Sequence, residues 1–422
     1  ALCINVISVL FPSCPFMVAQ WLALTLAAAR AFASNAPATC DSAPSIGEPG
    51  RFMSPALLQV RRSPSRAHAQ DTGGSDGAQL VTVFSVECKS YHEWQTVTLH
   101  SSWRRANVPG KLVRLLACPE ALRAQSLDLS GLAGMETHVH EVADSFYPPL
   151  NKPFGLMTWL NDGGGRDMPG DTVVMIVDCD MVFYGGGKVL EAITPLVERV
   201  QSGAAPALGN DEVYTVKGLQ AQNWTMARHF NVSNVERLQS IAVPILLRKD
   251  TLAEFVSRYY GITRDIVRDS SLLALVHDGN QLAPWIAEMV GYTLATERVA
   301  HETQRQWPAL ESAQPPWGAG TQAPLFVHYA HTFRLCGRVF GKSLYHSLDL
   351  LRCTTNATQL AVLQPPSQAE AKENSCQLCV QNGDAYGVPA TCHLEGGGKA
   401  VGLYAWEQVH EAVSSWRSIH CA

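Results

Sequence analysis

Thr172-Val173-Val174-Met175-Ile176-Val177-Asp178-Cys179-Asp180-Met181-Val182-Phe183 is the stretch whose reading decides the fold of this chain. Residues 173–177 are apolar and mostly β-branched, the composition of a strand buried on both faces of a parallel sheet. Two carboxylates then interrupt the run where the strand should end, and ligands of open α/β sheets gather at the carboxyl ends of strands. In a continuing strand Asp178 and Asp180 point to one face and Cys179 to the other, where a small side chain packs against apolar neighbours. Paired carboxylates in such a place suit a hard divalent cation, which can in turn grip a diphosphate.

The segments before this strand set up a parallel sheet. Residues 80–86 read as a strand, residues 91–106 as a helix with Trp94/Val97 and Leu99/Trp103 at helical spacing, and residues 111–117 as a second strand after Pro109-Gly110. That βαβ unit brings neighbouring strand ends together, so Cys88 and Cys118 are expected to form a disulfide in an oxidising compartment. Residues 139–142 read as a third short strand. Tyr147-Pro148-Pro149-Leu150-Asn151-Lys152-Pro153 is a rigid turn into a helix over 154–160, and its Lys152 is a candidate phosphate contact.

After the aspartates, Gly185-Gly186-Gly187-Lys188 lacks the ending of a phosphate-binding loop and reads as a turn into a helix over 189–200. Gly209-Asn210-Asp211-Glu212 reads as a loop. Residues 240–247 form a buried strand and residues 252–260 a helix. In the run from Trp285 to Tyr292, Trp285, Glu288 and Tyr292 fall on adjacent helical turns, a carboxylate flanked by aromatics that suits a sugar-binding cleft. Residues 325–329 read as a short strand with His328 at its exit, an imidazole able to complete the coordination of a cation held by Asp178 and Asp180. Beyond Cys353, the residues Cys376, Cys379 and Cys392, with His393 or Cys421, fit either a zinc knuckle or a set of disulfides.

The 422 residues carry a net charge of −5 with no stripe of basic side chains, which argues against nucleic-acid binding. Residues 1–33 contain one charged residue, Arg30, and read as a signal peptide or type II signal anchor, with Ala31-Phe32-Ala33 as a cleavage site. Residues 34–78, rich in Pro, Ser, Ala and Gly, read as a flexible stem. A catalytic domain over 79–352 and a Cys-rich extension over 353–422 complete the expected organisation. Twelve cysteines and the sequons at Asn223, Asn231 and Asn356 agree with a lumenal or secreted chain.

The motifs taken in order resemble those of the plant and green-algal peptidyl serine α-galactosyltransferases, a family related to the hydroxyproline O-arabinosyltransferases. The resemblance is carried by Thr82-Val83-Phe84-Ser85-Val86-Glu87-Cys88, Trp94-Gln95-Thr96, Arg114-Leu115-Leu116-Ala117-Cys118, Tyr147-Pro148, Asn151-Lys152-Pro153 and Val177-Asp178-Cys179-Asp180-Met181. The Trp285-to-Tyr292 run and His328-Tyr329 extend it, with Ala330 where the family has Gly. The resemblance implies an α/β, GT-A-like nucleotide-sugar transferase fold with a central, mostly parallel sheet. It implies Asp178, Asp180 and His328 as ligands of Mn2+, and Lys152 with the two aspartates as contacts to a UDP-sugar.

The activity so implied is transfer of a sugar, galactose before arabinofuranose, from the UDP-sugar to a Ser or hydroxyproline hydroxyl of hydroxyproline-rich cell-wall glycoproteins, in the ER or Golgi lumen. Any membrane attachment would run through the N-terminal segment alone. Glu288 and Asp211 are the candidates for acceptor positioning or base catalysis. The competing reading is a secreted carbohydrate-binding or structural cell-wall protein that keeps the fold without turnover.

Overall fold

Strand β1 (Leu80–Glu87) is an interior strand of a seven-stranded sheet, and its Val83, Phe84 and Val86 are buried. The computed structural model describes residues 79–211, 214–277, 285–313, 324–373, 375–380, 392–393 and 397–421; the expected leader, the stem and Glu212 lie outside them. Around β1 stand β2 (Lys111–Ala117), β3 (Met135–His140), β4 (Val173–Ile176), β6 (Ala207–Asp211), β7 (Ile241–Arg248) and β8 (His301–Thr303), in the order β3-β2-β1-β4-β7-β6-β8. Four of the six pairings are parallel, and the two made by β7 are antiparallel. The sheet is therefore mixed and mostly parallel, as the βαβ pattern predicts.

Between β1 and β2 runs α1 (Ser90–Arg105), with Trp94, Val97, Leu99 and Trp103 all buried. Both apolar stripes read from the sequence are covered, because α1 packs on the strands and on α6 (Gly397–His420). The other helices used below are α2 (Asn151–Asp162), α3 (Lys188–Gln201), α4 (Lys249–Arg268) and α5 (Ala287–Ala295). Among the described residues no helix is long and apolar enough to cross a membrane.

Three expectations change. The third strand is Met135–His140, and its outward Glu136 and Thr137 explain why an apolar search displaced it. The loop expected at Gly209-Asn210-Asp211 is part of β6, with a register shift between Gly209 and Asn210. Most consequential, the strand that opens the sequence reading does not continue through the aspartates. After β4 the chain turns, Met181 N–H donating to the Asp178 carbonyl at 3.2 Å, and β5 (Met181–Phe183) enters a different sheet.

That second sheet has the order β5-β10-β9, with β9 (Ser312–Ala313) and β10 (Phe326–His328); β10 runs antiparallel to β5. A third sheet joins β11 (Phe333–Leu335), β12 (Arg338–Phe340), β13 (Leu378–Val380) and β14 (Cys392–His393). Residues beyond 353 tie into the rest through β13 and through α6, whose Tyr404 hydroxyl donates to the Phe183 carbonyl at 2.7 Å.

The cysteines resolve the choice left open by the sequence. Cys88 pairs with Cys118 as expected, Cys336 with Cys376 and Cys353 with Cys421, and Cys379 is also disulfide-bonded. A zinc knuckle on Cys376, Cys379 and Cys421 is therefore not formed, because their thiolates are consumed in sulfur–sulfur bonds. The three sequon asparagines, Asn223, Asn231 and Asn356, are all exposed.

Helices α4 and α5 meet at Gly291, where a side chain would collide with the Thr263 hydroxyl. Gly291→Ala should therefore destabilise the fold by about 1–3 kcal/mol, measured as a lowered midpoint of denaturant unfolding with unchanged slope.

Candidate active site

Asp178 and Asp180 occupy the turn between β4 and β5, at the carboxyl edge of the large sheet. Because the turn breaks strand alternation, Cys179 does not pack away from the aspartates as expected: it lines the same cavity, its thiol 2.9 Å from Gln95 Oε1. Pairing of β10 with β5 sets His328 opposite Met181, and Tyr329 N–H donates to the Asp180 carbonyl at 3.0 Å. The imidazole thereby reaches Asp180, with Nε2 3.1 Å from Oδ1. One ligand atom each from Asp178, Asp180 and His328 lie within 4.8 Å of one another. Two carboxylates and an imidazole so grouped can hold a divalent cation.

Two lysines close the cluster. Lys152 enters from the first turn of α2, its Nζ 2.7 Å from Asp178 Oδ1 and 3.4 Å from Glu288 Oε2. Lys342, just after Gly341, makes a short ion pair with the second oxygen of Asp180. Burial on its own would raise the Asp180 pKa, but Lys342 and His328 outweigh it and hold the carboxyl well below its usual range. Burial would likewise lower His328, and the Asp180 carboxylate reverses the sign and raises it.

Glu288, in the first turn of α5, is buried on the other side of Lys152. Its Oε1 accepts a short hydrogen bond from the Tyr259 hydroxyl, and its backbone N–H donates to the Tyr147 hydroxyl at 2.9 Å. That hydroxyl in turn donates to the Trp285 carbonyl at 3.0 Å, which fixes the start of α5. Burial pushes the Glu288 carboxyl up, with Lys152 opposing.

These groups line a cavity of about 670 Å³. One wall is the end of β1 and the start of α1, with Glu87, Lys89, Tyr91, His92 and Gln95. There the Glu87 N–H donates to His92 Nδ1 at 3.2 Å, and burial, with Lys89 nearby, lowers the His92 pKa to about 4 and keeps the ring neutral at ordinary pH. Trp285, Glu288 and Tyr292, the trio expected to share a face, all line the cavity too, and Trp285 remains 60% exposed.

Of the residues singled out in the sequence, Lys152, Asp178, Asp180, Glu288 and His328 line this one cavity. Asp211 does not; its carboxylate faces Arg305 at 2.9 Å, and its N–H donates to Gln304 Oε1. Sequence reasoning missed Lys342 and the tyrosines that hold Glu288. Lys342 follows His328 by fourteen residues across a hairpin, a separation with no pattern to mark it. Tyr147 stood inside the rigid turn read for its prolines and for Lys152, and no role was read for its hydroxyl.

The model of the hydroxyproline O-arabinosyltransferase family N-terminal domain matches residues 81–305, more than half of the chain. A peptidyl serine alpha-galactosyltransferase of Arabidopsis thaliana is 26% identical over 315 residues, covering 71% of this chain and 35% of that protein. The protein of the same name from Chlamydomonas reinhardtii is 24% identical over 327 residues, covering 72% and 41%. The chain thus spans well under half the length of these relatives. Among solved structures, the galactosyltransferase LgtC in complex with donor and acceptor sugar analogues matches 59% of this chain and 86% of its own, at 12% identity and a TM-score of 0.34. The apo form of mouse xyloside xylosyltransferase 1 matches 60% and 97%, at 13% identity and a TM-score of 0.31. On the extent of the family match, the chain belongs to the hydroxyproline O-arabinosyltransferase family.

Proposed function

We propose that this chain is a metal-dependent glycosyltransferase of GT-A-like fold that moves a sugar from a UDP-sugar to a hydroxyl of a polypeptide. Galactose is the preferred donor sugar, and Ser or hydroxyproline in hydroxyproline-rich cell-wall glycoproteins the acceptor. The observation that carries this reading is the grouping of Asp178, Asp180 and His328 at one end of a roomy cavity, with Lys152 and Lys342 beside them. Family membership and the names of the relatives supply the donor and acceptor classes.

The donor set of two carboxylates and one imidazole fits Mn2+, with coordination positions left over for phosphate oxygens. When bound, such a cation supplies Lewis-acid neutralisation of the charge that grows on a departing diphosphate. The chain's own residues do the rest in this reading. Lys152 and Lys342 offer N–H donors and positive charge to the same phosphates. Glu288 lines the cavity next to Lys152, anchored by Tyr259, and there it orients the acceptor hydroxyl or takes its proton. Asp211 takes a structural role, as a partner of Arg305. An oxidising lumen is supported by the disulfides, which cytosolic thiol reductants would oppose.

The direct test is incubation of the protein with Mn2+, labelled UDP-sugars and a Ser-hydroxyproline repeat peptide. Label should pass from UDP-galactose to the peptide; folded protein that releases no UDP and transfers nothing from any donor would be a binding protein and not an enzyme. Replacing Asp178 and Asp180 together by Ala should lower kcat/KM more than about 100-fold, beyond what loss of an outer-shell partner costs, and transfer that survives both changes refutes the cation assignment. Glu288→Gln should lower kcat by roughly 100-fold or more if the carboxylate handles the acceptor proton. Asp211→Asn, which removes an ion pair to the exposed Arg305, should cost about 0.2–1 kcal/mol of stability and leave transfer intact.

A further inference from the structure

The two lysines carry a consequence that a bare carboxylate cluster would not. Lys152 Nζ lies 2.7 Å from Asp178 Oδ1, and Lys342 Nζ pairs with Asp180 Oδ2, so each aspartate already has an ammonium on an oxygen that a cation would seek. His328 Nε2 stands on the remaining oxygen of Asp180 at 3.1 Å. Glu288 adds a third carboxylate against Lys152. Three carboxylates facing two ammoniums and an imidazole leave at most a single net negative charge, and the side chains of Asp180 and Glu288 are 6% and 8% exposed, where solvent does little to screen them.

A divalent cation arriving alone would turn that balance positive in a low-dielectric site and compete with both ammoniums for their partners. A diphosphate arriving with the cation removes both objections. Its oxygens restore the charge and give each displaced ammonium a new charge-assisted hydrogen bond. Neither lysine has an easy alternative in bulk water, since their side chains are only 17% and 29% exposed.

We propose that Lys152 and Lys342 make this site selective for a divalent cation carried on a nucleoside diphosphate over the bare cation, so that the two ligands bind together and each is weak alone. The inference rests on reading the cluster as a cation and UDP-sugar site. It gives the lysines two opposed effects, disfavouring the cation by itself and favouring it with its diphosphate. A residue that only contacts phosphate would not affect bare cation binding.

Free Mn2+ is followed by its electron paramagnetic resonance signal while the full chain is titrated, with and without saturating UDP, for wild type, Lys342→Met, Lys152→Met and Lys342→Arg. Wild type should bind Mn2+ at least about tenfold more tightly when UDP is present. Each Met variant should bind Mn2+ alone about tenfold more tightly than wild type and lose most of the enhancement by UDP, whereas Lys342→Arg keeps the wild-type pattern. Thermal unfolding identifies any variant that fails to fold; the wild-type comparison and the second lysine then still decide the question. Mn2+ and UDP that bind wild type independently would overturn the coupling while leaving the cation and nucleotide site standing. Folded Met variants that bind bare Mn2+ no better than wild type would overturn it too. Wild-type protein that takes up neither Mn2+ nor UDP, singly or together, would overturn the proposed function and this inference with it.

Discussion

Asp180 is a carboxylate taken almost wholly out of water, and a charge so placed must be met by N–H groups or it costs several kcal/mol. Its partners, His328 and Lys342, come from 148 and 162 residues further along the chain. Much of the architecture follows from delivering them. The chain has to leave the large sheet after β4 so that β5 can accept β10 as a neighbour, and β10 brings the imidazole with it. The hairpin of β11 and β12 then returns the chain to Lys342, while α6 fastens the back of β5 through Tyr404.

Lys152 divides the cavity into two chemically different halves and belongs to both. Toward β4 it meets Asp178 and the cluster able to hold a cation; toward α5 it meets Glu288, Tyr259 and the aromatic wall. A single ammonium between two carboxylates lets each half sense the charge of the other. Glu288 also owes its position to Tyr147, whose hydroxyl accepts from the Glu288 N–H and donates to the Trp285 carbonyl.

The parts of this arrangement that the sequence exposed are those with local causes. Periodicity in β1, α1 and β2 and the apolar run of β4 read through to the correct elements, and the cysteines just past β1 and β2 read through to their disulfide. Five side chains of the cavity were legible because a carboxylate, lysine or histidine at a strand or helix end is costly without a purpose. The turn at Asp178 was not legible, since its apolar flanks look the same whether they join one sheet or two. Edge strand β3 and the bulged β6 were obscured for a related reason: their residues answer to neighbours across the sheet and not to a repeat along the chain. Lys342 and the pairing of Cys336 with Cys376 depend wholly on such distant neighbours.

The late arrival of β10 also bears on how the protein is made. A ribosome adding about 5–20 residues per second needs roughly 10–30 s to pass from Asp180 to Lys342, and during that interval the aspartate lacks one or both of its partners His328 and Lys342. A carboxylate without partners stays in water, so the nascent chain cannot close the edge of β4 over it, however complete the apolar strands before it are. The apolar strands around β4 can thus pair early, but the carboxyl edge of β4 stays open until residues 328–342 have been synthesised. During synthesis the Asp180 carboxylate therefore stays hydrated until the histidine and lysine that close the site have emerged.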